Sequence, residues 1–147
     1  MSKLNKNNNK IILISGPTAS GKSKLALKIA KKINGEIINA DSMQVYKELK
    51  ILTARPSEID LKKIEHHLYG FRTVKKDFSS GEWLKLAKKN IKKIRDKNKI
   101  PVLVGGTGLY FKALTDGLVK IPNIPISFRN KIRRMQNSLG QKKFYSK

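Results

Sequence analysis

The 147-residue chain contains no cysteine, which excludes disulfide bonds and thiolate metal sites. This absence is compatible with the reducing cytoplasm, where we expect the protein to act. Long apolar runs are missing as well, since none approaches the ~20 residues of a membrane-spanning helix. The opening segment, MSKLNKNNNK, is followed by too few apolar residues for a signal peptide. We therefore expect no membrane partner.

Acidic residues are scarce: 10 Asp and Glu stand against 33 Lys and Arg, which gives a formal net charge of +23. Such an excess fits a nucleic-acid partner. It fits a solvated coat equally well, because many lysines fall on the outer faces of predicted helices, as in KLAKKNIKKIRDKNK. Composition leaves both interpretations open. With 39% hydrophobic residues, the chain has enough apolar surface to form one globular domain.

The apolar segments predict alternating strands and helices. Strands are expected at 10–16 (fully buried), at Glu36–Asp41 and at 100–108. Helices are expected at 22–35, 79–98 and 109–117. This order is typical of an α/β fold, in which helices flank a parallel sheet.

Two of these helices carry detailed patterns. In the first, Gly35 is positioned to end the helix, and the apolar residues recur at helical spacing: Leu25, Ala26, Ile29, Ala30 and Ile33. In the second, Ser79 and Glu82 have the spacing of a capping box. Its predicted buried stripe consists of Trp83, Ala87, Ile91 and Ile94.

The pattern also divides the chain into three parts. Residues 1–9 are polar and are predicted to be a disordered basic tail. Residues 10–117 form the predicted α/β core. From Leu118 onward prolines interrupt the chain, and a basic helix is expected at 128–139. We expect a separate helical segment over 118–147.

The stretch between the first strand and the first helix fits the phosphate-loop pattern G-x-x-x-x-G-K-[ST] in full. Its residues are Gly16, Pro17, Thr18, Ala19, Ser20, Gly21, Lys22 and Ser23. Glycines let the backbone wrap an anion, the helix N-terminus adds partial positive charge, and Lys22 adds a full one. The Ser23 hydroxyl is placed to hold Mg²⁺. The loop by itself does not distinguish ATP from another diphosphate.

Two further segments follow predicted strand ends and should line the same crevice as the loop. Asp41 ends the second strand, where an acid either helps to hold Mg²⁺ or acts on an acceptor molecule. In Val104–Gly108 the glycines allow a close backbone approach, and Thr107 offers a hydroxyl. A glycine-rich turn without a functional role is equally consistent with this second segment.

His66 and His67 are adjacent, so on a strand their side chains would point to opposite faces. That geometry is poor for chelating one metal ion. A hydrogen-bonded structural pair is the favoured interpretation.

Five blocks of the chain resemble, in order, those of the tRNA dimethylallyltransferases, also called tRNA isopentenyl-diphosphate transferases. The blocks are GPTASGKS, ADSMQVYKELKILTARP, EHHL, VGGTGLYFKAL and PISFRNKI. The resemblance runs from Ile11 to about Arg134. It implies a P-loop NTPase-like fold, with the start of a helical tRNA-binding insert at 118–147.

The resemblance implies transfer of a dimethylallyl group from dimethylallyl diphosphate to N6 of the adenosine 3′-adjacent to the anticodon. The substrates would be tRNAs that read codons beginning with U, the cofactor Mg²⁺, and the enzyme a monomer. The phosphate loop would hold the donor diphosphate, and Asp41 would be the general base. Thr107 would contact both donor and tRNA, and Arg129 would contact tRNA. The residues expected to hold the flipped-out adenine are Ser42, Met43 and Gln44.

The chain departs from the family pattern in three ways. The family usually has glycine in place of Leu52, which could crowd a close backbone approach, and proline in place of Glu65. Family members are also roughly twice as long, so the chain resembles their N-terminal half, and we expect it not to prenylate tRNA measurably by itself. Two alternatives stay open: a small-metabolite kinase of the shikimate-kinase type, and an inactive nucleic-acid-binding remnant. The kinase alternative lacks the expected arginine-rich lid.

Overall fold

The computed structural model describes residues 10–119, 122 and 124–146. The predicted tail at 1–9 lies outside the described residues. The described chain is an α/β structure with a four-stranded sheet, all of whose pairings are parallel. The strands are β1 (Ile12–Ser15), β2 (Gly35–Asn39), β3 (His66–His67) and β4 (Ile100–Gly105). They lie in the order β1-β4-β2-β3, which brings the carboxyl ends of all four to one edge of the sheet.

The described residues form five α-helices and one 3-10 helix. They are α1 (Lys22–Lys32), α2 (Glu58–Lys63), α3 (Ser80–Asp96), α4 (Gly108–Thr115) and α5 (Ile126–Tyr145), with a short 3-10 helix at Lys47–Leu49. No helix of the described residues is long and apolar enough to cross a membrane. The predicted α/β fold is confirmed, whereas α2, β3 and the 3-10 helix were not predicted.

The core consists of two layers that follow the alternation of side chains along the strands. On one face, Ile37 and Val102 pack with Ala26 and Ala30 of α1. On the other, Ile38 and Leu103 pack with the predicted stripe of α3, in which Trp83, Ala87, Ile91 and Ile94 are all buried. Because β4 contributes to both layers, it reads as a continuous apolar run, whereas β2 also carries the buried polar residues Glu36 and Asn39.

The capping box predicted for α3 is present. The Ser79 hydroxyl accepts from the Glu82 backbone N–H, and the Glu82 carboxylate accepts from the Ser79 N–H. Trp83 stacks on Tyr110 of α4 at 4.3 Å, and its indole N–H donates to the Asn39 carbonyl at 2.9 Å. These contacts fix α3 and α4 against the carboxyl end of β2.

Three details of the predicted elements are wrong. β1 is an edge strand rather than fully buried, and Leu13 is 40% exposed. In α1, Leu25 is 50% exposed and Leu27 packs on the core instead. Asn34 adopts the left-handed conformation after α1, with φ of 53°. Gly35 is already in β2, where a side chain would collide with the Ile100 carbonyl at 2.8 Å.

At the amino end of β2, the buried carboxylate of Glu36 is the centre of an ionic cluster. His67 contacts it at 2.7 Å, Lys97 at 3.0 Å and Lys99 at 2.8 Å. Burial would raise the pKa of Glu36, but hydrogen bonds from Lys99, His67 and Lys97 outweigh burial and lower it to about 2. Potential metal-ligand atoms of Glu36, Glu65 and His67 lie within 4.8 Å of one another. Since two ammonium groups already occupy Glu36, the cluster is an ion-pair network.

The histidine pair has the predicted geometry. His66 and His67 are adjacent on β3, and each makes its own hydrogen bond, His66 with the Ile64 carbonyl at 2.7 Å and His67 with Glu36. The interpretation as a hydrogen-bonded pair is confirmed.

Candidate active site

The phosphate loop connects β1 to α1 and lies open to solvent. Two of its residues, Ala19 and Gly21, have positive φ of 64° and 79°, which turns the backbone sharply before the first turn of α1. Lys22 folds back across the loop, and its ammonium group donates to the Pro17 carbonyl at 2.9 Å. An ammonium has three donors, so this contact leaves others for an anion. The loop therefore has the positive charge that its sequence predicted.

Asp41 is held in a turn directly after β2. The Asn39 side chain accepts from the Asp41 backbone N–H at 2.9 Å, and its amide donates to the Asp41 carbonyl at 2.9 Å and to the Leu68 carbonyl at 3.0 Å. One carboxylate oxygen of Asp41, Oδ1, accepts from the Met43 N–H at 2.9 Å. Asn39 is fully buried, so this turn is fixed from the core side.

Gly105 at the end of β4 and Gly106 directly after it allow the backbone approach that the sequence predicted. A methyl group on Gly105 would lie 2.1 Å from the carbonyl carbon and oxygen of Ala40. A methyl group on Gly106 would lie 3.4 Å from the Gly16 carbonyl oxygen and 3.7 Å from Oδ2 of Asp41. Gly106 therefore lies against both the phosphate loop and Asp41, whereas the position of Gly105 admits no side chain because Ala40 is too close.

Thr107 joins the turn after β4 to the turn after β2. Its backbone N–H donates to the Ala40 carbonyl at 3.2 Å. Its hydroxyl accepts from the Ser42 backbone N–H at 2.9 Å and lies 3.2 Å from the Ser42 hydroxyl. Thr107 precedes α4 but makes no side-chain cap, because its hydroxyl is used in this contact.

The phosphate loop, Asp41, Met43 and Gln44 border a cleft of about 650 Å³, whereas Ser42, Gly105, Gly106 and Thr107 are not part of its lining. One wall is the phosphate loop with Lys22 and Ser23, and the floor carries Asp41. The opposite wall, formed by 49–54, was not predicted from the sequence. The full lining is Thr18, Ala19, Gly21, Lys22, Ser23, Lys24, Asp41, Met43, Gln44, Leu49, Leu52, Thr53 and Ala54.

A smaller cavity of about 310 Å³ lies on the other side of Ser23, between α1 and α2. Tyr69 and His66 line it and meet edge to face at 5.6 Å. Burial raises the pKa of the Tyr69 hydroxyl, and the negative charge of Asp41 raises it further. Burial also lowers the pKa of His66. Both groups are therefore neutral at pH 7, and Asp41 lies close enough to Tyr69 to influence its charge.

The structure brings together the loop residues, Asp41, Ser42, Met43, Gln44 and Thr107, but not Arg129. Arg129 is exposed on α5, where its backbone N–H donates to Pro125, and it does not line the cleft that the described residues form. Sequence reasoning also missed Asn39. An amide two residues before an acid at a strand end is the signature of a side-chain-to-backbone turn, and this signal could have found it.

Fold and cleft together define a P-loop NTPase-like α/β protein with a carboxylate facing its phosphate loop. The IPP transferase family matches residues 44–147. The tRNA dimethylallyltransferase of Pelagibacter ubique is 68% identical over 94% of this chain and 44% of the relative. That of Parvibaculum lavamentivorans is 52% identical over 88% of this chain and 41% of the relative. The chain belongs to the IPP transferase family.

Solved structures agree with this assignment. The tRNA isopentenylpyrophosphate transferase of Bacillus halodurans superposes with a TM-score of 0.74 at 35% identity, over 88% of this chain and 43% of that protein. A eukaryotic dimethylallyltransferase acting on tRNA gives a TM-score of 0.75 at 30% identity, over 88% of this chain and 34% of that protein. The chain therefore spans less than half the length of these relatives.

Proposed function

We propose that this chain takes part in the transfer of a dimethylallyl group from dimethylallyl diphosphate to tRNA. The acceptor is N6 of the adenosine 3′-adjacent to the anticodon, in tRNAs that read codons beginning with U. The observation that carries the proposal is the single cleft in which the phosphate loop faces Asp41. The names of the relatives support the same reaction.

The donor diphosphate binds at the phosphate loop. Backbone N–H groups at the start of α1 and the Lys22 ammonium stabilise its negative charge, which grows as the diphosphate departs. The residues fit Mg²⁺, because the Ser23 hydroxyl lines the cleft beside the expected phosphate oxygens and Mg²⁺ prefers oxygen ligands. When bound, Mg²⁺ supplies further neutralisation of the leaving group.

Asp41 acts on the acceptor. The adenine N6 lone pair forms the new bond to C1 of the dimethylallyl group while the bond from C1 to the diphosphate oxygen breaks, and the diphosphate leaves with that electron pair. The N6 proton becomes acidic as the bond forms, and a carboxylate oxygen of Asp41 accepts it. Oδ1 is engaged with the Met43 N–H, which leaves Oδ2, on the Gly106 side, for this proton.

The flipped-out adenine lies against Ser42, Met43 and Gln44. Thr107 positions this segment through Ser42 and borders the donor. Arg129 and the basic helix α5, which has no buried residue, contact the tRNA outside the cleft. We further propose that the protein acts as a monomer in the cytoplasm.

Donor binding provides the direct test. Calorimetry with Mg²⁺ should show binding of dimethylallyl diphosphate, and Lys22→Ala should weaken it by roughly 10- to 100-fold, since a charge-assisted contact contributes about 1.5–3 kcal/mol. Lys28→Ala is the matched control, because Lys28 is exposed on the same helix and lies outside the cleft lining. The Lys28→Ala variant should bind dimethylallyl diphosphate as tightly as the unsubstituted chain does.

The same titration with ATP separates the proposal from the kinase alternative. Stronger binding of dimethylallyl diphosphate than of ATP supports prenyl transfer. Binding of ATP together with no response to the prenyl donor would instead assign the cleft to a kinase.

A further inference from the structure

Two large aliphatic side chains project into solvent beside the cleft: Leu52, which is part of its lining, and Ile51, which directly precedes Leu52 in the chain. Ile51 is 92% exposed and Leu52 is 84% exposed, and they are consecutive in the turn after the 3-10 helix. We call Ile51 and Leu52 the aliphatic tip. A scattered exposed apolar residue needs no explanation, but an adjacent pair beside a candidate site suggests a binding surface.

The aliphatic tip is presented by a well-anchored turn. The Gln44 amide donates to the Thr53 carbonyl at 2.8 Å, and the Thr53 hydroxyl donates to the Leu49 carbonyl at 2.6 Å. The Arg55 guanidinium donates to the Lys47 carbonyl at 3.0 Å. Hydrogen bonds therefore hold the turn in place both before and after the aliphatic tip in the chain.

Arg55 also packs against the backbone of Gly70. A methyl group on Gly70 would lie 1.5 Å from Nη1 of Arg55, so the guanidinium fills the space that a side chain would take. The backbone N–H of Gly70 donates in turn to the Gln44 carbonyl at 2.9 Å. Through these contacts the turn is tied to the same segment that carries Asp41.

The tip faces a cleft whose charge suits an anionic polymer. Leu52 lines the wall opposite the phosphate loop. The charged residues in the lining are Lys22, Lys24 and Asp41, so positive charge exceeds negative there. This local excess of positive charge attracts an RNA strand to the cleft.

We propose that Ile51 and Leu52 form an apolar wedge that packs against the RNA bases beside the target adenosine and takes the place of that base in the stack. The inference rests on the proposed function, because it assumes an adenine that must leave its stack to reach Asp41. Extrusion exposes the faces of the neighbouring bases, and an aliphatic side chain covers them as apolar wedges do in other nucleic-acid complexes.

An anticodon stem-loop with 2-aminopurine in place of the target adenosine tests the wedge. This base lacks the N6 amine and cannot be prenylated, and its fluorescence rises when it leaves the stack. RNA binding is followed in the same titration by anisotropy. The variants are Ile51→Ser and Leu52→Ser, and the matched control is Ile59→Ser, because Ile59 is 68% exposed on α2, outside the cleft lining.

At saturating protein, the unsubstituted chain and Ile59→Ser should raise the fluorescence equally. Ile51→Ser and Leu52→Ser should each lower the ratio of extruded to stacked base by roughly five- to tenfold, the scale of losing one base-stacking contact. RNA binding with the same fluorescence rise in all four proteins overturns the wedge alone. No RNA binding by the unsubstituted chain overturns the proposed function and the wedge with it. Dimers that dissociate only in the tip variants would assign the tip to self-association and overturn the wedge.

Discussion

At the scale of single residues, the buried amide of Asn39 decides where Asp41 points. The side-chain amide of Asn39 bonds to the backbone of Asp41 and to the Leu68 carbonyl, while the Asn39 backbone carbonyl accepts from the Trp83 indole. The amide cannot rotate without breaking its three hydrogen bonds and leaving polar groups unpaired. The carboxylate that faces the phosphate loop is therefore positioned from the hydrophobic core.

The role of Asp41 can be tested by binding. An anticodon stem-loop with adenosine at the target position should bind about tenfold more tightly than one with purine riboside, which lacks the N6 amine, because hydrogen bonds to charged groups contribute about 1.5–3 kcal/mol. Asp41→Asn keeps the shape but removes the charge, and should reduce this preference at least about threefold. Competition anisotropy measures both.

Donor affinity is the control for Asp41→Asn. If Asp41 acts on the acceptor, Asp41→Asn should change the affinity for dimethylallyl diphosphate with Mg²⁺ by no more than about twofold. Loss of the Mg²⁺ dependence of donor binding would place Asp41 on the metal side instead.

The lowered pKa of Glu36 predicts that the folded state loses stability in acid. Its folded-state pKa of about 2 lies below the ordinary value of 4.5, so its contribution to the free energy of unfolding is present above about pH 4.5 and is lost as pH falls toward 2. Glu36→Gln leaves Lys97 and Lys99 without this partner, and should lower the free energy of unfolding by roughly 3 kcal/mol at pH 7. Urea unfolding across this pH range measures both effects.

Glu65→Gln is the matched control. Glu65 also contacts Lys97, at 3.1 Å, but its side chain is 49% exposed, so its loss should change the free energy of unfolding by less than about 1 kcal/mol. If both variants lost stability equally, the burial of Glu36 would not be the decisive factor.

At the scale of elements, the parts that were predicted well have local signals. The capping box and the buried stripe of α3 lie within one helix, and β4 reads as a continuous apolar run. The short β3 and the helix α2 have only two and six residues, too few for a periodic pattern. β3 exists because it pairs with Ile37 and Ile38 of β2, a contact that its own sequence does not encode.

Gly105, the last residue of β4, gives a test at this scale. Gly105→Ala should lower the free energy of unfolding by more than about 2 kcal/mol, because the added methyl collides with the backbone of Ala40. Gly81→Ala is the same change in the first turn of α3, where the nearest atom would be 3.8 Å away, and should be neutral or stabilising by up to about 1 kcal/mol. Urea unfolding measures the free energy of unfolding of both variants. If both substitutions lowered it, the close approach of Gly105 to the backbone of Ala40 would be contradicted.

At the scale of the whole molecule, two features favour association with other molecules. They are the net positive charge and the unpaired edge of the sheet. The outer edge of β1 has no partner strand among the described residues, and Leu13 and Leu25 are exposed. Unpaired edges favour association with another strand. The lysines are spread over the helices as well as the cleft, so the net charge by itself does not identify the RNA-binding face.

Salt dependence separates a specific RNA site from a basic coat. Binding of an anticodon stem-loop should weaken by at least about tenfold between 50 and 200 mM salt, because each phosphate contact releases counterions. A second stem-loop with the target adenosine changed should compete less well at both salt concentrations. Equal competition would show that the charge acts as a nonspecific coat.

The sequence by itself determined the phosphate loop, the α/β order, the stripe of α3 and the meeting of three strand ends at one edge of the sheet. Each of these depends on local periodicity or on the rule that parallel strands end at the same edge. Only the tertiary structure decided that β1 is an edge, that Leu27 rather than Leu25 packs inward, and that 49–54 forms the opposite wall of the cleft. These features depend on contacts between residues far apart in the chain, and such contacts leave no periodic signal in either partner.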